Sequence, residues 1–146
     1  MGSRTKARAR ALQVLYAWEM RGSSERLQEL DRELRSPRRR PPDPEVQDYI
    51  ELLLTVIERE RAVLDARIQA LADNWRLSRM TAVDRNILRI AAAEMLYLDA
   101  IPLRVSLQEA IRLAEWFGTE ESRRFINGVL DALLRQLEPE RRNDRG

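Results

Sequence analysis

Apolar residues recur every third or fourth position along nearly the whole chain, and no stretch shows the two-residue alternation of β-branched residues expected of a strand. One register runs through Val46, Ile50, Leu53, Ile57, Leu64, Ile68 and Leu71, another through Phe125, Ile126, Val129, Leu130, Leu133, Leu134 and Leu137. Such a pattern lines one face of an α-helix. Helices of this kind are not stable in isolation and must bury their apolar faces against one another. A chain of 146 residues has room for one domain with a substantial core. The fold class is therefore all-α, a compact bundle of about seven helices in a single domain over residues 1–146.

Local signals divide the chain into helices. A first helix runs from Ser3 or Thr5 to Met20 and stops at Gly22, a residue suited to a left-handed cap. A short second helix follows Ser23 or Ser24, with Leu27, Leu30 and Leu34 on one face. Residues 36–42, with three prolines and three consecutive arginines, form an exposed loop. Asp43-Pro44 is a helix start, and the register beyond it continues to about Asn74. Glu60 and Arg61 stand where an apolar residue is due, so either one long helix spans the segment or two meet near residue 60; one is favoured. Thr81 and Asp84 have the spacing of a capping pair and open a helix to about Leu98. Pro102 opens the next helix, Gly118 closes it, and Thr119-Glu120-Glu121 caps the last, expected to end before Pro139. Residues 138–146 are charged, lack apolar side chains and are expected to be a disordered tail.

Composition narrows the chemistry. The chain has no cysteine and no histidine, which removes disulfides, thiolate and imidazole metal sites, and the commonest general base. Its single lysine, Lys6, lies near the N-terminus, and no glycine-rich phosphate loop occurs. No catalytic activity, metal or cofactor is expected. The longest apolar stretches, around residues 50–57 and 87–98, are broken by charges, and the basic N-terminus lacks the apolar core of a signal peptide. A cytoplasmic location follows by default. With a net charge of only +2, the placement of the arginines carries more information than the total.

Asn127-Gly128 is a turn dipeptide set inside a helical register, where glycine costs about 1 kcal/mol relative to alanine. That cost points to tight packing of the last helix, or to close approach of a partner, at Gly128. The surrounding text, residues 118–130 (Gly-Thr-Glu-Glu-Ser-Arg-Arg-Phe-Ile-Asn-Gly-Val-Leu), closely resembles the signature of the NusB family of bacterial transcription antitermination factors. The resemblance extends to Val83-Asp84-Arg85-Asn86-Ile87-Leu88-Arg89, to Glu109-Ala110-Ile111 and to the basic start at residues 8–16, and so covers about residues 4–137. It implies two packed three-helix subbundles.

The first candidate surface is basic. Arg4, Lys6, Arg8 and Arg10 precede any acidic residue, the first being Glu19. Extending the stripe of Tyr16, Leu15 and Leu12 backwards reaches Arg8 and then Arg4, so it turns from apolar to basic. Residues 1–10 should then project beyond the core as a partly flexible arm able to grip phosphates. The alternative is an ordinary solvated terminus. The resemblance favours RNA, because NusB proteins bind RNA through an arginine-rich N-terminal motif. This chain reads Ala7-Arg8-Ala9-Arg10 where the family commonly has Arg-Glu after the alanine.

Arg123 and Arg124, in the first turn of the last helix, oppose its dipole. With Phe125 they could meet an RNA backbone and a base, although the position of Phe125 in the apolar register equally suits a core residue. The resemblance places RNA contacts here and gives Glu121 an acidic position beside the RNA. It also implies a protein partner, NusE, a ribosomal small-subunit protein, contacted through Tyr16 and Asp84; Asp84 has an equal alternative as a helix-start acid. Arg38, Arg39 and Arg40 read as a solvated loop cluster, and Glu94, among apolar neighbours, as a buried carboxylate with a partner.

The function these readings imply is a non-catalytic RNA-binding antitermination factor. It would recognise boxA RNA with NusE, join the transcription elongation complex and support ribosomal RNA operons. Two alternatives are a purely protein-binding helical scaffold and a NusB-like domain separated from an RNA cytosine methyltransferase. Family members occur as monomers and as homodimers, so the oligomeric state is open.

Overall fold

The computed structural model describes every residue except Met1, Arg39, Asn74 and Gly146, with side chains described as far as Arg141. Among the described residues six α-helices follow in order: α1 (Ser3–Met20), α2 (Leu27–Leu34), α3 (Pro44–Leu71), α4 (Ala82–Tyr97), α5 (Leu103–Phe117) and α6 (Glu120–Arg145). A single 3-10 turn over Leu77–Arg79 precedes α4, and the α-helices number six where about seven were expected. No strand occurs among the described residues.

Helices α1, α2 and α3 pack on one another, as do α4, α5 and α6; the two groups meet where α4 lies against α1 and α3. Helix α4 is consequently buried all round, with every residue from Asn86 to Met95 inside. Its start is fixed by the Thr81 hydroxyl, which accepts from the Asp84 amide at 3.1 Å. The chain leaves α1 through Gly22, whose φ of +93° is the left-handed conformation glycine adopts without strain.

Helix α3 is one helix through residue 60. The two charged residues in its register have partners on other helices: Glu60 accepts from the Tyr97 hydroxyl at 3.1 Å. The Arg61 guanidinium lies 4.6 Å from the centre of the Trp18 ring. Cation–π stacking supplies there what an apolar side chain would have supplied.

The expectation that the last helix ends before Pro139 is corrected. Helix α6 continues to Arg145 with Pro139 inside it. Proline removes one helical N–H bond and crowds the preceding turn. The extension is held by tertiary bonds: the Arg141 guanidinium donates to the backbone oxygens of Ile101 and Met95, each at 3.0 Å. Glu138 also pairs with Arg104 at 3.2 Å.

Of the two readings of Gly128, tight packing of the last helix is corrected. Gly128 is exposed, and a Cβ built on it meets nothing within 4 Å. Gly118 is the sterically demanding position, since a Cβ there would lie 2.5 Å from Ser122 Oγ and 2.9 Å from the Ala114 oxygen. Ser122 sits that close because its Oγ accepts from the Thr119 amide at 2.9 Å and caps the start of α6.

Candidate nucleic-acid interface

The N-terminal half of α1 is a packed helix rather than a projecting arm. Thr5, Ala7 and Arg8 are buried, and Arg8 is only 2% exposed. Its Nε donates to Glu94 Oε2 at 2.7 Å, and Nη1 lies 3.7 Å from Glu109. The Tyr49 hydroxyl donates to the same oxygen of Glu94, and the Thr5 hydroxyl reaches Glu109 at 3.1 Å. Burial, reinforced by the charge of Glu94, pushes the Tyr49 phenol well above its ordinary range, so it stays a donor. The predicted partner of Glu94 is thus Arg8, and Arg8 is withdrawn from any phosphate. It is basic in the apolar stripe because a carboxylate of α4 waits for it, not because the stripe leaves the core.

Arg10 is also engaged. It donates to Asp31 Oδ1 at 3.1 Å and to the Asp31 backbone oxygen at 3.2 Å. Asp31 further accepts from Arg35 and Gln47. Burial pushes the Asp31 carboxyl up, but the bonds from Arg35, Gln47 and Arg10 outweigh it and hold the group below its ordinary value. Arg4 and Lys6 remain exposed, without an ion-pair partner among the described residues. Arg4 leans over the Tyr49 ring at 5.6 Å. Beside them opens a cleft of about 870 Å³ edged by Lys6, Arg10, Arg35 and Arg40 and floored by Val46 and Ile50. Arg40 therefore joins the basic rim; Arg39 lies outside the described residues.

At the other candidate surface, Glu121, Arg123 and Arg124 are all exposed on the first turns of α6. Arg123 forms a surface pair with Glu115 at 3.4 Å, which leaves it largely in solvent. Arg124 has no ion-pair partner among the described residues. Phe125 is half-buried and packs edge to face with Trp75, ring centres 6.2 Å apart. A cleft of about 770 Å³ runs past Trp75, Glu121, Arg124, Phe125 and Gly128. Sequence reasoning missed Trp75. It falls between the end of one apolar register at Leu71 and the cap at Thr81, so its lack of any register was the available signal.

Tyr16 is 44% exposed on α1, and Asp84 is half-buried in the first turn of α4. These turns lie on neighbouring helices, tied together by Glu19, which pairs with Arg85 at 2.7 Å and accepts from Asn86. Asp84 Oδ1 is buried without a hydrogen-bond partner among the described residues. Its motif neighbours brace the core, with Arg89 gripping both oxygens of Asp65 at 2.8 and 3.0 Å. Among the described residues no acidic cluster could hold a metal ion, and no helix is long and apolar enough to cross a membrane.

Comparison with known proteins places this geometry. A family profile described as the NusB family matches residues 5–135. The transcription antitermination protein NusB of Anaeromyxobacter dehalogenans is 40% identical over 144 residues, covering 97% of both chains. The protein of that description from Chloroherpeton thalassium is 38% identical over 92% of this chain, which spans 63% of that relative's length. Among solved structures, the antitermination factors NusB and NusE in complex with dsRNA include a chain that superposes with a TM-score of 0.81 at 27% identity, covering 93% of this chain and 98% of that one.

Proposed function

The chain belongs to the NusB family, and on that premise we propose that it is a non-catalytic RNA-binding antitermination factor. It acts in the cytoplasm, recognises boxA-type single-stranded RNA together with NusE, and joins the transcription elongation complex. Support comes from relatives named as antitermination proteins and from a structural neighbour solved with NusE and RNA. The observation that carries the reading is where the uncommitted cations lie. Arg8, Arg85 and Arg89 inside the bundle pair with carboxylates, whereas Arg4, Lys6 and Arg124 are among the exposed cations that have no ion-pair partner among the described residues, and these three lie at the starts of α1 and α6.

In this reading Arg4, Lys6, Arg123 and Arg124 meet phosphates, and Phe125 offers its exposed edge to a base. Arg8 and Arg10 act one step back, holding the start of α1 in place. Glu121 tempers affinity by repulsion, and Tyr16 with Asp84 faces NusE. The test is titration of a boxA-type RNA with and without purified NusE. Binding that tightens when NusE is present is expected. Lack of RNA binding in both conditions, with NusE still bound, would favour a purely protein-binding scaffold.

A further inference from the structure

Trp75 is 61% exposed, far more than the aromatic residues of the bundle interior, Trp18 at 6% and Tyr49 at 8%. An indole so exposed leaves a large apolar surface that a partner's contact would remove from water. Its backbone, by contrast, is firmly held. The Trp75 amide donates to the Ala72 oxygen at 3.0 Å. The Gln69 side chain brackets the turn, donating to the Trp75 oxygen at 2.8 Å and accepting from the Leu77 amide at 2.7 Å. The ring is therefore displayed from a hydrogen-bonded turn.

Its surroundings specify what could cover it. The planes of Trp75 and Phe125 are 84° apart, so the contact is an edge against a face. Whichever ring supplies the edge, at least one broad face of the indole is left open. Arg124 and Gly128 line the same cleft, the former exposed and the latter with no atom within 4 Å of a would-be Cβ. Asp73 and Glu121 line the cleft as well, so Arg124 is its one cation among the described residues. A flat aromatic face beside that guanidinium and a stretch of helix without a side chain suits a planar base whose adjoining phosphate is held by Arg124.

We propose that Trp75 is a nucleic-acid contact, on which an unpaired base of single-stranded RNA stacks while Arg124 holds the adjoining phosphate. This rests on the RNA-binding reading above and extends its site from α6 across to the turn after α3. Phe125 then acts chiefly as the buttress that sets the indole.

The test uses the full chain with NusE and a labelled boxA-type single-stranded oligoribonucleotide. Stacking of one base makes Trp75→Ala bind about five- to a hundredfold more weakly, with Trp75→Phe, which keeps an aromatic face, in between. Because a stacked base displaces no counterion, the salt dependence of Trp75→Ala matches wild type, whereas Arg124→Ala flattens it. In a series of probes each lacking one base, a single position should abolish the difference between wild type and Trp75→Ala. Wild-type affinity in both Trp75 variants, or a loss that no missing base cancels, overturns the proposal while leaving the RNA reading intact. Failure of the wild type to bind the probe overturns both. A loss confined to NusE affinity would assign the indole to the protein partner and also overturn it.

Discussion

Arg8 is a structural arginine inside a basic segment, buried against Glu94. Removing it would strand Glu94, which is fully buried, without its cation. Breaking one side of such a pair typically costs about 3–5 kcal/mol. Urea unfolding of Arg8→Ala should show a loss of that order, whereas a loss of a few tenths would mean that the start of α1 is frayed. Removing Arg4, Lys6, Arg8 and Arg10 together would therefore confound folding with RNA affinity. Asp31 gives a pH signature of the same packing. Its carboxyl is held below its unfolded value of 3.8, so the folded state binds fewer protons there than the unfolded state. That stability is fully present above the unfolded value and is lost as pH falls through the folded one. Acid unfolding of Asp31→Asn should lack this component; an unchanged acid limb would contradict the arrangement. At Gly128, where a methyl group has open space, Gly128→Ala should raise stability by about 0.5–1 kcal/mol through helix propensity. Thermal unfolding reads that gain, and RNA affinity measured in parallel shows whether a partner uses the bare backbone.

At the scale of the element, α6 tests how far tertiary contacts override a local stop signal. Arg141 donates two bonds to carbonyls of the α4–α5 corner, and without them Pro139 has its usual effect. Arg141→Ala should speed hydrogen exchange of the amides beyond Leu137 while leaving the core of α6 protected; unchanged exchange would show that the extension needs no such tether. The same helix explains what could be read in advance. Periods, caps and breakers are local, so α1 ending at Gly22, α3 starting at Pro44 and α4 capped by Thr81 were legible. A proline outvoted by an arginine bonding to residues 40 and 46 positions earlier was not. Nor was the burial of Arg8, whose carboxylate lies 86 residues on. Sequence locates a charge on a face, but whether that face meets solvent or a partner on another helix is decided by packing. Hence Arg8 and Arg10 read as free cations of a basic segment, whereas each is paired with a carboxylate of another helix.

Across the whole molecule, the bundle sorts its charges. Inside, Arg8, Arg85 and Arg89 are matched by Glu94, Glu19 and Asp65 and fix how the two three-helix groups meet. Outside, Arg4 and Lys6 at the start of α1 and Arg124 at the start of α6 are exposed without an ion-pair partner among the described residues, Arg123 holds only a surface pair with Glu115, and a net charge of +2 hides the local surplus at the start of α1. The central claim is that these exposed cations grip RNA phosphates while the buried ones hold the frame. It is tested most directly by a salt titration of RNA affinity for wild type and for Arg4→Ala/Lys6→Ala/Arg123→Ala/Arg124→Ala, with unfolding measured alongside. On a single strand each phosphate contact contributes about −0.7 to the slope of log affinity against log salt, so the variant should bind more weakly with a slope flatter by up to about 3. Its stability should match wild type. Equal slopes and equal affinities for the two proteins would contradict the account.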